Sequence, residues 1–191
     1  IGLFDRQPLQ VHYYRSSKFC RVISELMGEN DYDLVFAHLL RMAPYALQTN
    51  GLAKIIDLTD ALCLNYERNT SDSTPRVWFT AVQRLEFSRV KRYEQEVLKK
   101  FETGLLISDV DRQYMQQYVA DARLEVIPAG VDADYFSPAD LEYDARKLVF
   151  LGKMSTAPNL DAILYFLNDI FPIIRARVPD ASICLLYTSD A

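Results

Sequence analysis

Several things are scarce in this chain, and each shortage narrows its possible work. Only six of its 191 residues are glycine, and no full glycine-rich phosphate-binding fingerprint is present. Cysteine is equally sparse: Cys20, Cys63 and Cys184 are odd in number, far apart, and outside any Cys-x-x-Cys or Cys/His cluster. That pattern suggests neither a disulfide framework nor a zinc site, and it fits a reducing cytoplasm. A basic excess is missing too, because 21 Lys and Arg stand against 26 Asp and Glu for a net charge of -5. Nucleic acid, which calls for a basic face or domain, is therefore not an expected partner. No apolar run approaches the roughly 18 to 20 residues of a membrane span. The start, "IGLFDRQPLQ", has neither a signal-peptide charge pattern nor an initiator Met, so the chain is expected to begin partway through a longer protein.

What is present is enough apolar material for one substantial core or parts of two, since half of the residues are apolar and 12% are aromatic. Short runs rich in Val, Ile and Leu alternate with longer stretches of helical period, the signature of a parallel sheet with crossover helices. Seven strands are predicted: "LQVHYY" (9 to 14), "DLVFAH" (33 to 38), "AKIIDL" (53 to 58), "GLLISD" (104 to 109), "LEVIP" (124 to 128), "KLVFLG" (147 to 152) and "SICLL" (182 to 186). Phe19, Val22, Ile23, Leu26 and Met27 share one helical face, closed by Gly28 and Asp31. Trp78, Val82, Leu85, Tyr93, Val97 and Phe101 share another on a longer helix near 76 to 101. "NTSDSTP" (69 to 75) reads as a solvated loop.

The stretch "AGVDADYFSPADLEYDAR" (129 to 146) has no apolar periodicity and, at about 18 residues, exceeds ordinary loops within a domain. It reads as a hinge between two sheets. After it a fresh strand, loop, helix and strand follow, the helix carrying Leu160, Ile163, Leu164, Leu167, Ile170, Phe171 and Ile174 on one face with Pro172 expected to kink it. The predicted organisation is a partial first domain at 1 to 128, the hinge, and the start of a second domain at 147 to 191.

"VIPAGVDADYFSP" followed by "LVFLGKMSTAPNLDAILYFLNDIFPIIRARVPDA" resembles the interdomain crossing of the retaining family 4 glycosyltransferases. "YDLVFAHLLRMAPYAL", "KIIDLTDALCLNYERN" and "RYEQEVLKKFETGLLISDVDRQYM" extend the similarity upstream, most closely to bacterial sugar transferases of exopolysaccharide systems. The resemblance implies two doubly wound, Rossmann-like domains of the GT-B type facing across a cleft, the first holding the acceptor and the second the nucleotide sugar. It implies transfer of a sugar with retention to a saccharide or lipid-linked acceptor, in the cytoplasm or at the inner face of the plasma membrane, without an obligatory metal. Against that pattern, the family's first strand and glycine-bearing loop and its distal paired-glutamate motif would fall outside residues 1 to 191, and "YTSDA" (187 to 191) departs from it. The chain reads as a middle fragment, inactive alone.

The residues themselves point to particular positions. Gly152 and Lys153 follow an apolar strand, and Ser155 or Thr156 with Pro158 can open the next helix, so backbone N–H groups and a cation converge where a phosphate can sit. The bland alternative is a tight turn beside a solvated lysine. Asn159 is counted with Gly152 and Lys153 as a binding candidate. Asp57 and Asp60 end the strand "KIIDL", and ligands of open α/β sheets bind beyond the carboxyl ends of strands; alternatively Asp60 or Thr59 caps the following helix. His38 ends "DLVFAH" at the same edge, able to bond a sugar or phosphate or to be a satisfied structural histidine. Asp57, Asp60 and His38 are thus the catalytic candidates, and Asp109 a helix cap. On the long helix Arg76, Arg84, Arg89, Lys91, Arg92, Lys99 and Lys100 outnumber Glu86, Glu94 and Glu96, giving either a solvated face or peripheral contact with anionic lipid. Two other functions fit the same elements: a two-lobed small-ligand-binding protein without catalysis, and a nucleotide-sugar epimerase.

Overall fold

The computed structural model of the chain describes residues 7–71, 77–137 and 142–187, with the side chains of 69–71, 77–83 and 157 left aside. It divides after Val131 into two compact units. The first carries helices α1 (Leu9–Tyr13) and α2 (Ser17–Glu29), strand β1 (Leu34–His38), helix α3 (Ala43–Leu47), strand β2 (Ala53–Thr59), helices α4 (Leu62–Ser71) and α5 (Val77–Leu98), strand β3 (Thr103–Leu106), helix α6 (Asp109–Gln116) and strand β4 (Leu124–Val126). All four strands run parallel in the order β1-β2-β3-β4. The fold class is therefore α/β with a parallel sheet, consistent with a Rossmann-like arrangement.

One predicted strand is a helix. In "LQVHYY" the alternation of Leu9, Val11 and Tyr13 imitates a strand, but Pro8 supplies a fixed φ at the entry and its carbonyl accepts from the N–H of Val11 at 3.0 Å. Only Val11 of this turn is buried, so a single inward residue, not an alternating face, fixes it. Six strands result among the described residues instead of seven. Helix α2 also ends differently: Gly28 lies inside it, and Asn30 is the C-cap, its N–H bonded to the Leu26 carbonyl at 3.1 Å. Of the predicted loop at 69 to 75, residues 69 to 71 continue α4, and 72 to 75 fall outside the described residues.

The core lies where β2 and β3 meet the helices. Ile56 and Leu106 are fully buried, joined by Ala37, Leu58, Cys63, Val90, Val97 and Met115. Of the long helix's predicted apolar face, Tyr93, Val97 and Phe101 are buried, while Leu85 is exposed; Trp78 and Val82 lie outside the described side chains. The predicted charged face needs correction, because Glu86, Arg89 and Glu94 are buried. Arg89 pairs with Glu86 at 3.5 Å across one helical turn, and only Arg84, Arg92, Lys99 and Lys100 of the described basic set remain exposed. Arg76 is outside the described residues. No described helix is long and apolar enough to cross a membrane.

The second unit holds strand β5 (Lys147–Leu151), helix α7 (Ala157–Tyr165), a π-helical turn over Phe166–Ile170, helix α8 (Phe171–Arg177) and strand β6 (Ser182–Leu186), with β5 and β6 parallel. The kink expected at Pro172 takes this form, with the proline in the first turn of α8.

Gly104 shows how tightly β3 is packed. A Cβ there would meet Leu98 Cδ2 at 2.6 Å and Leu124 Cδ2 at 2.9 Å. Gly104→Ala should cost about 1 to 3 kcal/mol by overpacking, measured as a lowered urea midpoint with an unchanged slope; an unchanged midpoint would show that these leucines yield freely.

Candidate functional site

The carboxyl edge of the first unit's sheet brings two of the predicted residues together. In the β1-β2 ladder His38 is in register with Asp57, and both side chains emerge on the same side. His38 Nδ1 lies 2.9 Å from Asp57 Oδ2. An ionised carboxylate can only accept, so Nδ1 carries the proton and, in the neutral ring, Nε2 is left as an acceptor. The His38 side chain is 61% exposed and that of Asp57 26%, which opens the pair to a ligand. The pair can orient a hydroxyl group and take its proton.

Both strands leave this edge through unusual backbone. Leu39, directly after His38, has φ 72°, and Thr59, at the end of β2, has φ 66°. Neither is glycine, and for a β-branched residue this conformation is costly. Thr59 is the centre of a three-residue turn closed by the N–H of Asp60 on the Leu58 carbonyl at 2.8 Å, the rare form of the γ-turn. Its own N–H donates to Asp57 Oδ1 at 2.9 Å. The Leu39 N–H reaches the Asp57 carbonyl at 2.7 Å, so the two strand ends are tied through one residue. Thr59 Oγ1 is buried with no hydrogen-bond partner.

Carboxylates from other elements hold the turn from below. Asp111 Oδ1 accepts the Ala61 N–H at 3.0 Å, and Ser108 Oγ donates to the other oxygen of Asp111. Glu94, from α5, is completely buried; its Oε1 accepts the Cys63 N–H at 3.4 Å and its Oε2 the Tyr118 hydroxyl at 2.8 Å. The alternative in which Thr59 or Asp60 caps α4 is thereby corrected, since Glu94 and Asp111 take those amides. The cap predicted at Asp109 falls one residue earlier, where Ser108 accepts the Asp111 N–H at 3.2 Å and Asp109 instead pairs with Arg112 at 2.7 Å.

Burial, assisted by the charge of Asp111, raises the pKa of Asp60. Burial also raises Glu94, against the opposing pull of the bonds it accepts from Tyr118, Cys63 and Leu62. The Cys63 thiol, 2.9 Å from the Tyr118 hydroxyl, is pushed up to about 12, first by burial and then by Glu94. Cys63 is a packed thiol and no nucleophile.

In the second unit, the predicted donor residues surround the turn after β5. Gly152 is a place of close approach: a Cβ there would meet Asn159 Nδ2 and Phe150 Cε1, each at 3.1 Å, so one of these side chains would have to shift. Asn159 Nδ2 and Thr156 Oγ1 both donate to the Lys153 carbonyl, at 3.1 and 2.8 Å. Thr156 is the N-cap of α7 but its side chain makes no cap bond, and Pro158, which has no N–H to satisfy, sits in the first turn.

His38 and Asp57 are thus in direct contact, Asp60 lies on the adjoining turn, and Gly152, Lys153 and Asn159 belong to the other unit. Asp111, Glu94 and Tyr118 are the contributors that sequence reading missed. Ser108-Asp109-Val110-Asp111 carries the spacing of a capping box and marks Asp111; Glu94 has no such signal. Among the described residues no group of three or more His, Cys, Asp or Glu could hold a metal ion. No family model matches the chain, and no curated protein matches it.

Two measurements check this geometry. Thr59→Gly removes both the strained φ and the unpartnered hydroxyl, and should raise stability by about 1 kcal/mol after the glycine entropy cost; a lower melting midpoint would remove the strain argument. Glu94 binds its proton to higher pH in the native state than in the unfolded one. Its contribution is complete below the ordinary glutamic-acid range and declines as pH rises through the raised value. Glu94→Gln, neutral and nearly isosteric, should therefore flatten the fall of stability between mildly acidic and alkaline pH; an unaltered pH profile would show that Glu94 ionises normally.

Proposed function

We propose that the chain is part of a retaining glycosyltransferase of the two-domain GT-B kind. Its first unit serves the acceptor, a saccharide or a lipid-linked sugar, and its second serves a nucleotide-sugar donor. The observation that carries the reading is the turn after β5, where Gly152 permits close packing, side chains brace the Lys153 carbonyl, and the first amides of α7 have no side-chain cap. A helix N-terminus of this kind attracts phosphate through its N–H groups and dipole. A departing nucleoside diphosphate gains negative charge in the transition state, and donors fixed beforehand stabilise it most. Lys153 adds the cation.

The first unit supports the acceptor role. His38 and Asp57 sit where parallel sheets receive ligands, and a carboxylate-oriented imidazole is suited to a hydroxyl that must be aligned. Asp60, with its raised pKa, stands beside them as a second polar contact. Bacterial exopolysaccharide or cell-envelope glycan synthesis is the setting in which such a transferase would act.

Titration of the chain with uridine diphosphate and a panel of nucleotide sugars, followed by amide NMR shifts, tests the proposal. Perturbations should concentrate between Gly152 and Asn159, and Lys153→Ala should weaken binding about tenfold, the loss of one charge-assisted contact. If no member of the panel moves those amides, or if Lys153→Ala binds like the parent, the donor assignment is wrong.

A further inference from the structure

The turn between β2 and α4 carries both Asp57 and Asp60, and it is bent against the preference of its central residue. Thr59 holds a positive φ and its hydroxyl is buried without a partner, a conformation that persists only where surrounding contacts impose it. Two such contacts come from the segment after β3. The Ile107 N–H donates to the Thr59 carbonyl at 2.9 Å, and the Asp111 carboxylate accepts the Ala61 N–H at 3.0 Å. The first is made by backbone and calls for no particular residue. The second depends on a side chain that is itself braced: as the third residue of α6, Asp111 donates its N–H to the N-cap Ser108 Oγ at 3.2 Å, and the Ser108 hydroxyl donates to the other carboxylate oxygen. In an ordinary capping box that carboxylate turns back to the N-cap N–H; here it reaches an amide fifty residues earlier. Glu94 holds the same region less directly, because its amide partner is Cys63, inside α4, at 3.4 Å.

The turn in turn sets the histidine through one carboxylate. The Thr59 N–H occupies Asp57 Oδ1 at 2.9 Å, which leaves Oδ2 for His38 Nδ1, also at 2.9 Å. Holding one oxygen on a backbone N–H restricts rotation of the carboxylate, so the second oxygen stays on the ring. The imidazole then carries its proton on Nδ1 and presents Nε2 as an acceptor. We propose that Asp111 is a positioning residue for His38: by holding the Ala61 amide it keeps Thr59 in its turn, the Thr59 N–H on Asp57, and Asp57 on His38 Nδ1. Without it, Thr59 relaxes toward negative φ, its N–H leaves Asp57 Oδ1, and the carboxylate is released to solvent. The tautomer of a histidine that ends β1 is thus set by a helix-capping residue that follows β3. The use of Nε2 on an acceptor hydroxyl rests on the sugar-transfer reading; the relay from Asp111 to His38 does not.

The His38 tautomer is the readout, taken from the ring-nitrogen shifts in long-range proton–nitrogen NMR spectra at a pH where the ring is neutral, with circular dichroism to verify folding. The chain has only two histidines, and His38→Gln identifies the signals. Asp57→Ala gives the unpartnered ring, expected to be about fivefold poorer in the Nδ1–H form, the most that an exposed pair contributes. Asp111→Ala should move the tautomer ratio at least about half-way to that value. Asp111→Asn, whose side-chain carbonyl still accepts the Ala61 N–H, should stay with the parent. Phe101→Leu, a core substitution just before the start of β3 and so at the opposite end of the sheet, should lower the melting midpoint without moving the ratio. Ser108→Ala, a milder change that serves if Asp111→Ala folds poorly, should shift the ratio in the same direction as Asp111→Ala. A parent-like tautomer in Asp57→Ala, in folded Asp111→Ala or, where that variant does not fold, in Ser108→Ala overturns the relay, as does an equal shift in Phe101→Leu. Nucleotide sugars play no part in this readout, so failure of the donor titration leaves the relay standing, and an unmoved tautomer leaves the donor site standing.

Discussion

The register of β1 against β2 is the constraint on which the first unit's site depends. In a parallel ladder the side chains alternate between faces, so a slip of one residue would place His38 beside Leu58 and turn Ile56 out of the core. The His38–Asp57 contact is too weak to prevent this, because an exposed pair contributes at most about 1 kcal/mol. Burial of Ile56, Leu58, Ala37 and Leu106 does prevent it, each of the larger side chains being worth roughly 1.5 to 3 kcal/mol. The polar pair is therefore a consequence of apolar packing. Its strength need not be high, and its exposure can be kept for a ligand.

Beyond Asp57 the chain must turn sharply into α4, and the turn is made without glycine. Thr59 adopts a positive φ because its neighbours leave no alternative: Asp57 holds its N–H, Leu58 and Asp60 close around it, and Asp111 and Glu94 take the following amides. A carboxylate as deeply buried as Glu94 would be expensive if ionised without a cation. The raised pKa relieves this cost, since the protonated acid carries no charge and its oxygens can still accept from Cys63 and Tyr118. The same helix α5 carries the buried Glu86–Arg89 pair, so the inner face of α5 is partly polar by construction.

Much of this fold was legible in the sequence because the strands of a parallel sheet read as short apolar runs, and five of the six described strands of this chain, β6 with no offset among them, lie within two residues of such a run at both ends. The failures have particular causes. "LQVHYY" is too short for its period to separate a strand from one helical turn, and Pro8 decided it. The charges of α5 were assigned to solvent because glutamate and arginine usually go there, and nothing local reveals that Glu94 meets the amides of a helix thirty residues earlier. His38 and Asp57 were legible as strand-end polar residues. Their contact was not, because it requires a register that only the packed sheet supplies. Asp111 was hidden for the opposite reason: its local capping role accounts for it fully, and the contact with Ala61 spans fifty residues.

The two units treat the same problem, a strand ending in a helix, with opposite electrostatics. In the first, acidic side chains collect the backbone N–H groups of the turn, so donors are consumed and the remaining rim is rich in acceptors: Asp57, Asp60 and the free nitrogen of His38. In the second, the amide of Asn159 and the hydroxyl of Thr156 collect the Lys153 carbonyl, so an acceptor is consumed, and the N-cap side chain leaves the start of α7 uncapped. An acceptor-rich rim suits hydroxyl groups, and a donor-rich one suits phosphate. The contrast between the two rims follows from which backbone group the neighbouring side chains occupy.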